Sequence, residues 1–293
     1  MNDWLYFTEV ALAGLGSGAL LALTGLAFVL IYKATRVVNL AIGETLMLGA
    51  YLFFGFTSGL NMAVWLAVPL VLLCGGVYGA AIERAVIRRM LGSSALSVFM
   101  VTIGLGSILV GVVELVWGLE PHSLVNFMPE KPVFLGEIYV SSKTAVAFVV
   151  AALTIGLFLL VFRYWRGSLA LRATATDPGA AYSCGVSVPK VYSLSWVVAC
   201  MIAAGAGILV GAIGGISSAM GVFGLTVLSV VIMGGLDSIL GVLLAALFVG
   251  LAESFAIAFL GGEFKLVTTF TLLLAMLLVR PHGLLGTAEI DRL

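Results

Sequence analysis

Long apolar runs separated by short polar connections dominate the chain. They predict nine helical segments, at 10–31, 37–57, 63–82, 95–117, 144–162, 191–215, 222–236, 239–260 and 265–280. A bilayer core of roughly 30 Å is crossed by about 20 apolar helical residues, and most of these runs reach that length. The run at 222–236 is short and flanked by glycine, which reads as a broken or half-spanning helix. The expected fold is therefore all-α, a polytopic transmembrane helix bundle of eight or nine segments. Two connections are long. Residues 118–143 carry Pro121, Pro129 and Pro132 with Glu120, Glu130 and Glu137, and residues 163–190 are polar and contain the short helical phrase Asp177–Gly185. Neither can form a soluble domain, so residues 1–293 read as one membrane domain.

Composition sharpens this. The chain is 62% hydrophobic and 10% charged, with a mean hydropathy of +1.23. Soluble domains carry about 25% charged residues, so this chain cannot cover a water-facing surface of its own size. Formal net charge is zero, which gives no electrostatic footprint for nucleic acid. The placement of charge is informative. Lys33, Arg36, Arg84, Arg88, Arg89, Arg163, Arg166, Arg172, Lys190, Arg280 and Arg292 fall on one set of connections, and Lys131, Lys143 and Lys265 on the other. The positive-inside rule puts the first set in the cytoplasm, the N-terminus outside and the C-terminus inside. The first nine residues hold Asp3 and Glu9 and no basic residue, so the first run reads as a retained helix rather than a cleavable signal. Cys74, Cys184 and Cys200 show no metal spacing and read as small packing residues; no metal site is expected.

Glycines recur at packing distance: Gly14 and Gly18, Gly75 and Gly79, then Gly207, Gly211 and Gly215. Small residues four apart let helix backbones approach closely in lipid. The same smooth faces suit sliding during a gating cycle. The phrase G-G-I-S-S-A-M-G, Gly214–Gly221, suggests a re-entrant bend or an outer loop around Ser217 and Ser218.

Four carboxylates lie in or at the edges of apolar runs: Glu44, Glu83, Glu114 and Glu253. An ionisable group inside a membrane costs about 2.5–3.5 kcal/mol on insertion scales and is seldom idle. Glu83 stands beside Arg84 at a helix end within reach of solvent. Glu114 and Glu253 fall near outer ends. Glu44 lies deeper, with Asn39 and Thr45 nearby as hydrogen-bonding groups, and reads either as a bond between helices or as part of a translocation path or gate.

No HExxH, G-x-S-x-G or cysteine–histidine cluster is present, and no P-loop, so the chain has no ATP-hydrolysing motif of its own. An energy source other than an ion gradient must reach it through a surface. The segment R-Y-W-R-G-S-L-A-L-R-A-T-A-T-D-P-G-A-A-Y-S-C-G-V-S-V-P-K, residues 163–190, offers one. Asp177 suits an N-cap, Pro178 the first helical position and Gly185 a left-handed stop. Between them Ala180, Ala181 and Tyr182 form a short helix that presents small residues. It reads as a docking knob or as a loop helix lying at the headgroups.

Several phrases resemble the permease subunits of ATP-binding-cassette importers for branched-chain amino acids, the LivH type. T-R-V-V-N-L-A-I-G-E-T-L-M-L-G-A-Y, Thr35–Tyr51, is similar to that family's N-F-A-H-G-E motif and its continuation, with Ile42 in place of the motif histidine. I-E-R at Ile82–Arg84, the frame Gly167–Val186, M-G-G-L-D-S-I-L-G at Met233–Gly241 and R-P-H-G-L-L-G at Arg280–Gly286 follow in order. Asp237 and Leu240 depart from the family pattern, and Thr176 stands where it has an acidic residue.

The resemblance implies a multi-pass permease in a bacterial inner membrane. Its implied partners are a second, LivM-like permease, two cytoplasmic ATPases and a periplasmic or extracellular solute-binding protein, all assembled in membrane lipid. ATP and Mg2+ would be bound by the ATPases, and no cofactor by this chain. Arg172, Asp177, Pro178, Ala181, Tyr182 and Gly185 would couple to an ATPase. Asn39, Glu44, Thr45, Ser217 and Ser218 would lie on the path. The solute is a branched-chain or related amino acid, with urea, amides and small carboxylic acids as alternatives. A stand-alone ion-coupled transporter and a structural membrane scaffold are the competing classes.

Overall fold

The computed structural model describes residues 3–90, 92–129, 131–135 and 137–286. Arg292 and Glu130, used above in reading the charge pattern, lie outside them. Eleven α-helices are described: α1 (Asp3–Thr35), α2 (Ile42–Phe54), α3 (Val64–Ala85), α4 (Ala95–Trp117), α5 (Ser142–Tyr164), α6 (Arg166–Thr176), α7 (Pro178–Ser183), α8 (Val188–Gly214), α9 (Gly221–Gly234), α10 (Ile239–Leu260) and α11 (Phe264–Val279). The connection between α4 and α5 adds one small antiparallel hairpin, β1 (Val133–Leu135) with β2 (Ile138–Val140).

Among the described residues, six helices are long and apolar enough to cross a membrane: α1, α3, α4, α5, α8 and α10. Three expected segments are shorter. Helix α2 has 13 residues and runs into a π-helical turn at Gly55–Gly59. Helix α9 has 14 residues and α11 has 16, or about 21 and 24 Å at 1.5 Å per residue. Helix α1 is longer than the expected run at 10–31 because the mixed aromatic and polar residues Asp3–Glu9 and the segment Tyr32–Thr35 continue the helix. It is apolar all round and buried along Ala19–Ile31, the mark of a helix enclosed by others.

The chain divides into two compact units. The first comprises residues 1–29, 128–152 and 226–293; the second comprises 30–127 and 153–225. In the first, α1 meets α10 through glycine. A Cβ built at Gly14 would lie 2.9 Å from the Leu251 Cα, one at Gly18 would lie 2.9 Å from the Ala246 oxygen, and one at Gly250 would lie 2.4 Å from the Gly18 Cα. Glu9 accepts a hydrogen bond from the Tyr139 amide of β2 at 2.8 Å. Glu253, which the sequence puts near a helix end, is buried. It accepts from the Thr269 hydroxyl at 2.5 Å and faces the Lys265 ammonium at 3.7 Å, which joins α10 to α11.

In the second unit α8 is the central helix, packed by α2 and α3. A Cβ at Gly207 would stand 1.9 Å from the Leu46 oxygen, and one at Gly49 would stand 2.3 Å from the Ala204 oxygen. On α3, the same test brings Gly75 to 2.9 Å from the Cys200 oxygen and Gly79 to 2.5 Å from that of Trp196. Backbone thus touches backbone, as the glycine spacing leads one to expect. Glu83 departs from expectation. It is buried, and its partner is Arg88, whose Nε and Nη2 donate to the two carboxylate oxygens at 3.0 and 2.8 Å. Arg88 also reaches the Pro189 carbonyl at 3.2 Å, linking the end of α3 to the start of α8. A buried carboxylate needs this kind of two-pronged partner.

Candidate functional site

Two sites lie in the second unit. The first is a cavity of ≈ 390 Å3 lined by α2, α4 and the start of α9. Its chemistry comes from Glu44, in the first turn of α2, together with Thr102, Ser107 and Ser218. Glu44 occupies space left by two glycines. A Cβ at Gly106 would lie 3.0 Å from its Cδ, and one at Gly221 would lie 3.1 Å from its Oε1. Its Oε2 is buried and, among the described residues, has no hydrogen-bond partner. An unsatisfied buried polar atom costs about 1–3 kcal/mol.

The path residues read from sequence separate here. Glu44 and Ser218 line the cavity. Asn39 and Thr45 do not bond to Glu44. Asn39 Oδ1 accepts from the Ala41 amide at 3.1 Å, and the Thr45 hydroxyl donates to the Ala41 carbonyl at 2.7 Å. They shape the entry into α2, where short polar side chains bond readily to adjacent backbone. Ser217 is extended, at the head of a 3-10 turn spanning Ser218–Met220. The preceding Ile216 forms a two-way backbone bridge with His122, at 2.9 and 2.8 Å. His122 in turn stacks on Phe54 at 4.6 Å between ring centroids. The G-G-I-S-S-A-M-G phrase is therefore a short bend held by the connection that follows α4. Thr102 escaped the sequence reading. Its hydroxyl donates to the Phe99 carbonyl and accepts from the Leu40 amide, tying α4 to the segment before α2. The T-I-G-L-G-S phrase carried the one available signal, a hydroxyl and a glycine four residues apart.

The second site is the polar segment between α5 and α8. Asp177 caps α7 by accepting from the amides of Gly179 and Ala180 at 2.8 and 3.0 Å, with Pro178 in the first turn. Gly185 closes the helix at φ +84°, and Val186 donates back to the Ala181 carbonyl at 3.0 Å. This is a left-handed helix stop of the expected kind. Ala181 turns inward and is 5% exposed, so the helix presents Tyr182, at 71% exposure, together with its exposed small residues Gly179, Ala180 and Ser183. Arg172 is exposed on α6, a helix the sequence reading passed over. Its Nε donates to the Ser168 carbonyl at 3.4 Å.

In the first unit, two separated phrases form one structure. Leu284 and Leu285 donate to the carbonyls of Met233 and Gly234 at 2.8 and 3.1 Å. Gly235 and Gly283 both have positive φ, and a Cβ on Gly283 would meet the Gly235 nitrogen at 2.7 Å. No side chain fits between these turns.

Apolar helices in glycine contact, with a lone carboxylate in a cavity among them, define an all-α, polytopic membrane protein. Residues 10–279 match the family described as "Branched-chain amino acid transport system / permease component". The chain is 30% identical to the high-affinity branched-chain amino acid transport system permease protein LivH of Escherichia coli, over 99% of both chains. It is 29% identical to the corresponding permease protein BraD of Pseudomonas aeruginosa over the whole of both. A solved structure, PsaBC from Streptococcus pneumoniae in complex with Fab, shares the fold at a TM-score of 0.51 and 13% identity, covering 94% of this chain and 92% of that one. The chain belongs to the branched-chain amino acid transport permease family. It is a transport subunit of a multi-pass membrane type and not an enzyme.

Proposed function

We propose that this chain is one permease half of an ATP-binding-cassette importer for branched-chain amino acids, in a bacterial plasma membrane. Residues 1–293 act as one transmembrane domain, with the N-terminus outside and the C-terminus in the cytoplasm. The six long helices, with α2, α9 and α11 as shorter inserted segments, make up the eight or nine segments of the topology. A second, LivM-like permease completes the path, two ATPases bind ATP and Mg2+, and an external binding protein delivers the solute. Glu44, Thr102 and Ser218 belong to the path in this reading, with Asn39, Thr45 and Ser217 holding its backbone.

The observation that carries the proposal is α7. It is six residues long, capped at both ends, and set in the polar segment that joins the long apolar helices α5 and α8, with one aromatic ring projecting. A stiff short helix transmits force, and the exposed Tyr182 ring can fill a pocket on a partner. ATPase closure would then favour one permease state over another by differential contact. Tyr182→Arg is the direct test. Projection of the ring into water predicts unchanged permease yield and thermal stability. Copurification of the ATPases from detergent should fall at least about tenfold, the effect of removing one interface anchor worth about 1.4–2 kcal/mol. Undiminished copurification would remove α7 from the coupling surface.

A further inference from the structure

A groove of ≈ 240 Å3 opens where α5 ends and α8 begins, floored by α6. Phe158, Val161, Phe162, Leu171, Val191 and Leu194 give it an apolar lining. Its two serines are already committed: Ser168 donates to the Trp165 carbonyl and Ser195 to that of Val191, each at 2.9 Å. Lys190 supplies the one charge in the lining, and among the described residues its ammonium has no hydrogen-bond or ion-pair partner. Trp165 forms one wall. Its indole lies over Gly167, where a Cβ would come within 2.4 Å of the ring. Glycine at 167 is what lets the ring fold against α6.

We infer that this groove holds one acyl chain of an anionic phospholipid, with the headgroup phosphate on Lys190. The chemistry of the lining selects this occupant. A peptide would bring backbone amides into a groove without free donors or acceptors to meet them, and unpaired amides are costly in an apolar setting. An acyl chain needs no partner there. An anionic headgroup satisfies the ammonium at the same time. The groove also lies at the right level. It is bounded by the ends of two helices long enough to cross a membrane, with exposed Tyr164 and Trp165 beside it, and aromatic residues of this kind mark the headgroup region. The lipid would then brace α6 against α5 and α8, and so set the orientation of the segment that carries α7.

Photolabelling of the purified full-length chain in phosphatidylcholine vesicles tests this. One preparation carries a trace of phosphatidylglycerol with a diazirine on its acyl chain, and the other carries the matching phosphatidylcholine probe. Peptides covering residues 158–171 and 190–198 should take up the anionic probe about fivefold more than the zwitterionic one, the effect of one basic residue at a headgroup. Lys190→Gln should bring the two probes level, and Val191→Trp, which fills the groove, should lower both. Equal labelling in the unaltered chain, a preference that survives Lys190→Gln, or absence of label from these peptides would overturn the inference. The trace probes report binding in the folded chain, so a variant that fails to fold does not decide the matter. The comparison of the two headgroups in the unaltered chain does.

Discussion

Replacing Gly207 by valine is expected to abolish the folded protein. The built Cβ would lie 1.9 Å from the Leu46 oxygen, 2.8 Å from the Leu46 carbonyl carbon and 3.2 Å from the Ala50 nitrogen. All three are backbone atoms of α2, so no side chain can rotate away. Relief requires α2 and α8 to separate, which also opens the Gly49–Ala204 contact. Overpacking a core costs about 1–3 kcal/mol where side chains can adjust, and rigid backbone on both sides puts this case above that range. In lipid the loss is not offset elsewhere, because close packing rather than apolar burial drives helix association. Gly104→Val and Gly111→Val on α4 are matched controls, since a Cβ at either meets open space. Size-exclusion profiles and thermal unfolding in detergent should show loss of the folded peak for Gly207→Val and near-unaltered behaviour for both controls. A Gly207→Val chain that unfolds at the unaltered temperature would contradict the packing described here.

Glu44→Gln is expected to reduce uptake at least about tenfold while leaving assembly intact. The substitution keeps shape and volume between Gly106 and Gly221, so the helices have no reason to move. It replaces the carboxyl group whose Oε2 has no hydrogen-bond partner among the described residues. A hydrogen bond to a charged group is worth about 1.5–3 kcal/mol, and a tenfold change corresponds to about 1.4 kcal/mol. Transport assays on the assembled importer, with subunit yields measured in parallel, separate the outcomes. Unchanged uptake would take Glu44 off the path, and loss of assembled protein would make it a structural group.

Much of this was legible in the sequence, and the misses have physical causes. The segments at 95–117 and 239–260 coincide with α4 and α10, because polar residues and helix caps end those apolar runs together. Ser94 and Ser238 cap them by accepting from Ser97 and Gly241. Helix α1 extends beyond the expected run because Thr8 and Glu9 interrupt the apolar pattern without interrupting the helix. Helix α6 was passed over for the opposite reason: R-G-S-L-A-L-R-A-T-A-T has helix-forming residues but no long apolar stretch. The hairpin at 133–140 has three-residue strands, too short for a readable alternation.

The sites divide in the same way. Asp177, Pro178 and Gly185 were readable because capping is local chemistry. The inward turn of Ala181 was not, since it depends on how α7 packs. For Glu44, depth could be read from sequence. The assignment of Asn39 and Thr45 as its partners failed because near neighbours bond to their own backbone first. What frames the carboxylate comes from α4 and α9, at Gly106 and Gly221, and only the tertiary fold brings them there. The pairing of the 233–235 and 283–286 turns is likewise non-local, which explains glycine at both without any sequence rule to foresee it.

The central claim is that this chain moves solute only with energy delivered through α7 by partner ATPases. The most direct measurement is uptake of radiolabelled leucine into proteoliposomes containing this chain, its partner permease and the two ATPases, with the binding protein supplied on the delivering side. The account predicts uptake that requires ATP hydrolysis, is lost when the ATPases are omitted, and is lost with Tyr182→Arg. Leucine uptake by this chain without the ATPases, driven by an ion gradient, would contradict it.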